Sequence, residues 1–245
     1  MRTSPLPVMA TENVMPTNIE EQPLNSLKSS FAVSEFAAEE GPATDGANTA
    51  AQPLAARLAD PKPVVRKGAY AELAALWGAE ACAAEEYETH APMLRKLLAD
   101  NASICHEPAL DACLAFAKGA PAESVGAEAR AAAGAIVEKH AAGKYGPKAL
   151  DALLALFGSG KDAATATQAA LASGAAHKVP KTRAAAAKGL VGVLRGFGGG
   201  AVDTKLVTTL VVGLVEHRDK LVRDEGLALL GELRLARGDV SAISP

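Results

Sequence analysis

Few residues of this 245-residue chain have the types and spacing that chemistry requires. Cys105 and His106 are adjacent, whereas zinc ligands are spaced two or more residues apart and come in pairs. A buried structural thiol is the better interpretation of Cys105. The segment GSGK at residues 158–161 is similar to a phosphate-binding loop, but Ala155 replaces the first glycine and Asp162 replaces the magnesium-binding Ser or Thr. We therefore expect a glycine-rich helix end, and no enzyme, metal site or cofactor.

Basic residues recur at one position of five ten-residue segments, which begin at residues 60, 100, 142, 177 and 217. The seventh residues of these segments are Arg66, His106, Lys148, Arg183 and Arg223. They are separated by 40, 42, 35 and 40 residues, and the third segment matches only in a register chosen to align Lys148. An interval of about 40 residues holds two helices and two short connections, which is the unit of a HEAT-type repeat.

The elements that carry these segments are predicted to be helices. Hydrophobic residues make up 49% of the chain but aromatic residues only 4%, and alanine, a strong helix former, supplies the difference. Apolar residues recur at helical spacing, as at residues 222, 226, 229 and 233, and no hairpin turn signal follows residue 50. The sequence predicts an all-α fold, an α-solenoid of about five antiparallel helix pairs. The expected repeats are near residues 51–80, 83–119, 122–158, 162–198 and 203–238.

Residues 1–50 have a different composition. They carry seven acidic and two basic residues, a net charge of −5, and five prolines without a helical period. Such a segment buries too little apolar surface to offset its chain entropy. We predict a disordered acidic tail at 1–50 and a HEAT-repeat array at 51–240. Residues 51–245 then carry 23 basic and 21 acidic groups, a net charge of +2.

Composition also argues against several classes of protein. The formal net charge of −3 is unlike that of a bulk nucleic-acid binder, which has a basic excess. Three cysteines are too few for a disulfide scaffold and indicate a reducing compartment. The longest apolar run, residues 206–215, is about half of the ~20 residues that cross a membrane. We expect no secretory signal, no membrane span and no nucleic-acid partner.

In a stacked array of helix pairs the turns within the pairs lie along one edge. This edge is predicted to collect lysines and arginines on a nearly neutral body, a segregation of charge that suits an acidic protein partner. Arg66 and Arg223 also occupy positions where HEAT repeats often use arginine to hold a turn aspartate, so a structural role stays open for both. The lysines that precede them are better contact candidates, because nothing in the fold requires lysine there.

Three segments resemble TOG domains, the tubulin-binding arrays of microtubule polymerases and CLASP proteins. The segment HRDKLVRDEGLALLGEL at 217–233 resembles the fifth repeat of that family. Residues 53–73 resemble the first repeat, and residues 177–198 are similar to the fourth, including its final Phe-Gly. The resemblance covers roughly residues 52–239 and is closest to the N-terminal TOG domain of the polymerases.

The resemblance implies a paddle of HEAT repeats whose turn edge binds curved, unpolymerised αβ-tubulin. It further implies a role in microtubule plus-end polymerisation and spindle organisation, in the cytoplasm at microtubules, spindle poles or the centrosome. By position, the implied tubulin contacts are Lys62, Pro63, Asn101, Ala102, Lys144 or Lys148, Lys178, Lys181, Lys220 and Arg223.

The sequence departs from the family pattern at three points. Pro63 stands where the first turn of the family usually carries a tryptophan, and the single tryptophan, Trp77, is expected in the core. Losing an aromatic contact of that kind costs roughly 2 kcal/mol, or ~30-fold in affinity. A sixth repeat and a second array are also expected to be missing, which favours a fragment of a longer protein. We therefore expect weakened tubulin binding.

Two other functions remain open at this stage. A generic HEAT-repeat scaffold would bind other acidic proteins through the same edge. Some HEAT-like arrays process damaged DNA, but the few aromatic residues and the lack of a basic groove make that function a poor match.

Overall fold

The computed structural model describes residues 52–238, so the predicted tail at 1–50 and the last residues of the predicted array lie outside the described residues. Within 52–238 the chain forms α-helices and two short 3₁₀ segments, Ala91–Met93 and Gly199–Ala201, and no strand. The helices are α1 Leu54–Leu58, α2 Pro63–Trp77, α3 Ala84–His90, α4 Leu94–Leu98, α5 Ser103–Gly119, α6 Ala122–Lys139, α7 Gly146–Gly158, α8 Lys161–Ala175, α9 Pro180–Phe197, α10 Thr204–Val215 and α11 Lys220–Ala236.

The helices form successive pairs, each joined by a short turn. In the second pair the first member is broken into α3, a 3₁₀ segment that contains Pro92, and α4. The turns between first and second members are residues 59–62, 99–102, 140–145, 176–179 and 216–219. Because each pair is joined by so short a turn and its helices touch, the two members run antiparallel.

The pairs stack in two layers. Among the second members, α2 packs on α5, α5 on α7, α7 on α9, and α9 on α11. Among the first members, α4 packs on α6, α6 on α8, and α8 on α10. This stacking of neighbours confirms the predicted all-α solenoid and brings the five turns to one edge, the turn edge.

The core lies between the two layers and consists largely of leucine and alanine. The predicted apolar stripe of α11 is confirmed, because Val222, Gly226, Leu229 and Leu233 are all buried. Trp77 is also in the core, as expected from the sequence. Its ring centroid lies 5.1 Å from that of Phe116 and 6.2 Å from that of Tyr87.

Side chains and glycines define several helix ends. Asp203 caps α10 by accepting the N–H groups of Lys205 and Leu206 at 3.0 and 3.1 Å. Gly198, with φ of 77°, ends α9 in a conformation that favours glycine. The GSGK segment at 158–161 ends α7 and begins α8, which confirms the predicted helix end.

Neither a metal cluster nor a membrane-spanning helix is found in the described range. No group of three or more His, Cys, Asp or Glu residues in 52–238 is arranged to hold a metal ion. No helix in that range has the length and apolarity needed to cross a bilayer. Cys105 is buried, as expected, and burial raises the pKa of its thiol.

Candidate functional site

In four of the five ten-residue segments, those that begin at residues 60, 100, 177 and 217, the side chain of the first residue closes the turn. In each case a side-chain oxygen or nitrogen accepts the backbone N–H two residues later, which fixes the start of the following helix. The bonds are 2.7–3.1 Å long in Asp60–Lys62, Asp100–Ala102, His177–Val179 and His217–Asp219. Sequence reasoning missed this role, although an Asp or His six residues before each of these four basic residues was the available signal.

The seventh residue of the same four segments closes the turn from the other side. Its side-chain nitrogen bonds the carbonyl oxygen of the first residue, six positions earlier. The distances are 2.8–3.0 Å in Arg66–Asp60, His106–Asp100, Arg183–His177 and Arg223–His217. The repeating basic position is therefore a structural feature of the turns. Arg223, one of the predicted tubulin contacts, is half-buried and also donates to the Arg218 carbonyl at 2.8 Å.

Asp100 carries the densest hydrogen-bond network of the turn edge. Its carboxylate accepts two bonds from Arg66, at 2.7 and 3.0 Å, and one from the Tyr70 hydroxyl at 2.9 Å. The side chain is 5% exposed and that of Arg66 17%. Burial alone would raise the pKa of Asp100, but the bonds from Arg66, the Ala102 N–H and Tyr70 outweigh it and hold the pKa well below its usual range. This bidentate pair locks the first repeat to the second.

The third turn differs from the other four. It is six residues long, and Lys148 is the third residue of α7, whereas Arg66, His106, Arg183 and Arg223 are each the fourth residue of their helices. The register that aligned Lys148 with them is therefore wrong. Lys148 does not close a turn; its ammonium group lies 3.1 Å from Glu107 and 2.9 Å from Asp111 of α5. Lys148 therefore links α7 to α5 of the neighbouring repeat.

The predicted lysines at the other turns are exposed. Lys62 is the N-cap of α2, Lys178 precedes α9, and Lys181 is its second residue. Lys144 lies beside Tyr145, with its nitrogen 4.9 Å from the ring centroid. Lys220 begins α11, and although it pairs with Asp224 at 2.9 Å, its side chain is 83% exposed. Such an exposed ion pair contributes little to stability, so Lys220 can leave Asp224 and bind a carboxylate of a partner at little cost.

The remaining predicted contacts, in the first two turns, offer mostly backbone and small side chains. Pro63 is the exposed first residue of α2, a position that suits proline because its missing N–H has no helical partner. The Asn101 side-chain oxygen accepts a bond from Lys139 at 2.8 Å. Ala102, half-buried, is the N-cap of α5. The second turn is therefore less charged than the fourth and fifth.

Apolar side chains are interleaved with the lysines along the turn edge. Val64, Ile104 and Leu221 are the second residues of α2, α5 and α11 and are 73%, 44% and 50% exposed. Val179 before α9 is 42% exposed. Sequence reasoning missed these residues. Their signal is that each lies at the start of a helix but outside its buried stripe.

A buried histidine lies behind the second and third turns. The Nε2 atom of His140 is 2.7 Å from the Leu98 carbonyl oxygen, which can only accept, so Nε2 carries the proton. Its Nδ1 atom has no hydrogen-bond partner in the described part of the chain. Burial lowers the pKa of His140; the bond to the Leu98 carbonyl opposes this shift, and the nearby charges of His106 and Lys139 add to it. The side chain is therefore neutral near pH 7.

Comparison with solved structures supports the fold. One similar structure comes from work on tubulin recruitment and assembly by microtubule polymerases with TOG domain arrays, at 19% identity and a TM-score of 0.62. The match covers 77% of this chain but 42% of that one. Another comes from work on microtubule plus-end tracking by XMAP215, CLIP-170 and EB1, at 21% identity and a TM-score of 0.62. It covers 78% of this chain and 84% of that one.

Sequence comparison identifies the family. No curated protein sequence matches the chain significantly. The family model for the XMAP215/Dis1/CLASP TOG domain, however, matches residues 48–244, which is most of the chain and includes all five turns. The chain therefore belongs to the XMAP215/Dis1/CLASP TOG-domain family.

Proposed function

We propose that this TOG domain binds soluble αβ-tubulin through its turn edge and contributes to microtubule plus-end polymerisation and to organisation of the spindle and cytoskeleton. One observation carries the proposal: exposed lysines lie in the first, third and fourth turns of a TOG-family solenoid and at the helix start that follows the fifth, and all five turns share an edge. The two similar structures above were determined in studies of tubulin recruitment and of plus-end tracking. The protein is proposed to act by binding and not by catalysis, in the cytoplasm at microtubules, spindle poles or the centrosome.

The proposed contacts are the residues predicted from the sequence, with their roles refined by the structure. Lys62, Lys144, Lys178, Lys181 and Lys220 supply exposed positive charge. Lys144 is preferred to Lys148, because the latter pairs with two carboxylates of α5. Backbone and small side chains supply the rest of the proposed surface, namely Pro63, Asn101 and Ala102. Arg223 is proposed to act mainly by holding the fifth turn in shape.

Sedimentation velocity of the chain mixed with GTP-tubulin tests this function. The informative variant is the double charge reversal Lys181→Glu with Lys220→Glu, because both side chains are exposed. An Arg223→Glu variant would lose the bonds that close the fifth turn, so a loss of tubulin binding could come from a misfolded turn and not from a lost contact. The matched control is Lys161→Glu with Lys205→Glu, two exposed lysines at helix starts on the opposite edge. We expect a 1:1 complex that the first double variant abolishes and the control preserves.

A generic scaffold that binds another acidic protein is the alternative, and Pro63 is the observation that favours it. Proline at that position removes the aromatic contact that the family resemblance implies. If the wild-type chain forms no complex with tubulin while its circular dichroism spectrum is helical, the scaffold becomes the better interpretation. The N-terminal subtype of TOG domain stays a prediction.

A further inference from the structure

A groove of about 390 Å³ opens beside the turn edge, between the N-terminal parts of α7, α9 and α11. Leu153, which is 1% exposed, lies at its base. Ala185 of α9 and Leu221 of α11 form apolar walls, and Leu150 of α7 is a further apolar lining residue. Lys181, Lys188 and Glu225 are the charged lining residues. The groove is therefore apolar inside and charged at its rim.

Small residues explain why the space is open. Where two helices pack, side chains of one normally fill the gaps of the other at high density. Here α7 begins with Gly146 and Pro147, and α9 presents consecutive alanines at 184 and 185. No side chain among these four is long enough to close the gap between α7 and α9. Leu221, half exposed, borders this gap without filling it.

The rim of the groove is positive. Lys181 and Lys188 are seven residues apart on α9, which places them on the same helical face two turns apart. Neither lysine has a carboxylate within ion-pair distance in residues 52–238. Glu225 on α11 is the acidic lining residue. A partner group that enters here meets one carboxylate and two lysines without an ion-pair partner among the described residues, around an apolar base.

The groove is continuous with the proposed tubulin-binding surface. Lys181 is both a predicted tubulin contact and a groove residue, and Leu221 follows Lys220 directly. A partner that covers the fourth and fifth turns therefore also covers the mouth of the groove. An apolar side chain of that partner can be desolvated there, and neighbouring carboxylates can pair with the two lysines.

We propose that the groove receives one apolar side chain of αβ-tubulin, flanked by tubulin carboxylates that pair with Lys181 and Lys188. This inference rests on the proposed tubulin-binding function and adds to it an anchor site on the side of the second helices. The family's first turn usually presents a tryptophan to tubulin, whereas here the apolar side chain would come from tubulin and the cavity from this TOG domain.

Three variants probe the groove, each in a different way. Ala185→Phe fills the cavity. Leu221→Ala removes an apolar wall without adding bulk, so it separates lost apolar contact from steric blockage. Lys188→Glu reverses the rim charge. Controls of the same types are Ala131→Phe, a half-buried alanine on the first-helix side, and Lys205→Glu, an exposed lysine on the opposite edge.

The assay is fluorescence anisotropy of labelled chain titrated with GTP-tubulin, with circular dichroism to verify that each variant is folded. We expect Ala185→Phe to weaken binding by about tenfold or more, as for loss of one buried apolar side chain. Leu221→Ala and Lys188→Glu should each weaken it several-fold, the latter less at high salt. Both controls should bind like the wild type.

The outcomes separate the two proposals. If the wild type binds, Lys181→Glu with Lys220→Glu abolishes binding, and the three groove variants bind normally, the groove inference is wrong while the proposed function stands. If Ala185→Phe alone weakens binding, the effect is steric and the inference is also wrong. If the wild type binds no tubulin, both fail. A concentration-dependent dimer lost in Ala185→Phe, with normal tubulin binding, would assign the groove to a second copy and overturn the inference.

Discussion

Replacing Asp100 with alanine tests how the first two repeats are held together. The substitution removes a nearly buried carboxylate that accepts four hydrogen bonds, from Arg66 twice, from the Tyr70 hydroxyl and from the Ala102 N–H. Arg66 then remains as a charge that is 17% exposed and has lost its ionic partner. Tyr70 and Ala102 keep donors without an acceptor.

Removing one partner of a buried ion pair costs about 3–5 kcal/mol, mainly because the other charge stays buried and unpaired. Arg66 retains its bonds to the carbonyl oxygens of Asp60 and Pro61, which favours the lower half of that range. We therefore expect Asp100→Ala to lower the free energy of unfolding by about 3 kcal/mol. Asp100→Asn keeps acceptor capacity but loses the charge, so a smaller loss of about 2 kcal/mol is expected.

Urea unfolding followed by circular dichroism at pH 7 measures these losses. Asp60→Ala is the matched control, since Asp60 has the same position in the first turn but its bond to the Lys62 N–H is exposed. Its expected loss is about 1 kcal/mol. Because the pKa of Asp100 is lowered on folding, its stabilisation is present above the usual aspartate pKa and is lost as the pH falls below it. Equal losses for the two alanine variants would refute the argument.

Three further predictions concern folding and binding. Burial lowers the pKa of His140, so stability should decrease as the pH falls below about 6.5, and His140→Gln should flatten that dependence in urea titrations at pH 7.5 and 5.5. Gly226→Ala should lower the free energy of unfolding by roughly 1–3 kcal/mol because the added methyl group meets the backbone of α10. Gly231→Ala in the same helix has open space around its methyl group and should raise the free energy of unfolding by about 0.5–1 kcal/mol. Thermal unfolding of both variants compares them. Lys148→Ala should cost about 0.5–1 kcal/mol and leave tubulin sedimentation unchanged, whereas Lys144→Glu should weaken the complex.

The fold was predictable because each helix carries its own signal. The stripe at residues 222–233 places one face of α11 in the core, and the basic residue at the seventh position fixes the start of four second helices. That position repeats in the sequence because the turn geometry requires a donor there. The third turn breaks the pattern, since its six residues move Lys148 out of the donor position and no local signal announces the longer turn.

The candidate site was less predictable, because exposure and cavities depend on packing between distant elements. Ala184 is buried and Ala185 half-buried, although they are adjacent and identical in type. Only the approach of α7 and α11 to α9 makes Ala185 a groove wall. Likewise, the repeating basic position identified the turn edge, but it did not show which basic side chains hold the turns and which are exposed. Arg223 and Lys220 are three residues apart, yet the first closes a turn and the second extends into solvent.

The turn geometry separates folding from recognition. In the four regular segments the side chains of the first and seventh residues and the backbone N–H of the third residue hold the turn. The side chains of the second to fifth residues are exposed or half-buried and have no shared role in closing it. The fourth residue is Pro63, Ser103, Pro180 or Lys220, so the fold accepts very different side chains at the position where the family's first turn usually carries tryptophan. Pro63 in fact suits a helix start. We therefore expect Pro63 to affect the proposed tubulin affinity and not stability, and the proposed compensating contacts are the lysines and the groove at the other end of the edge.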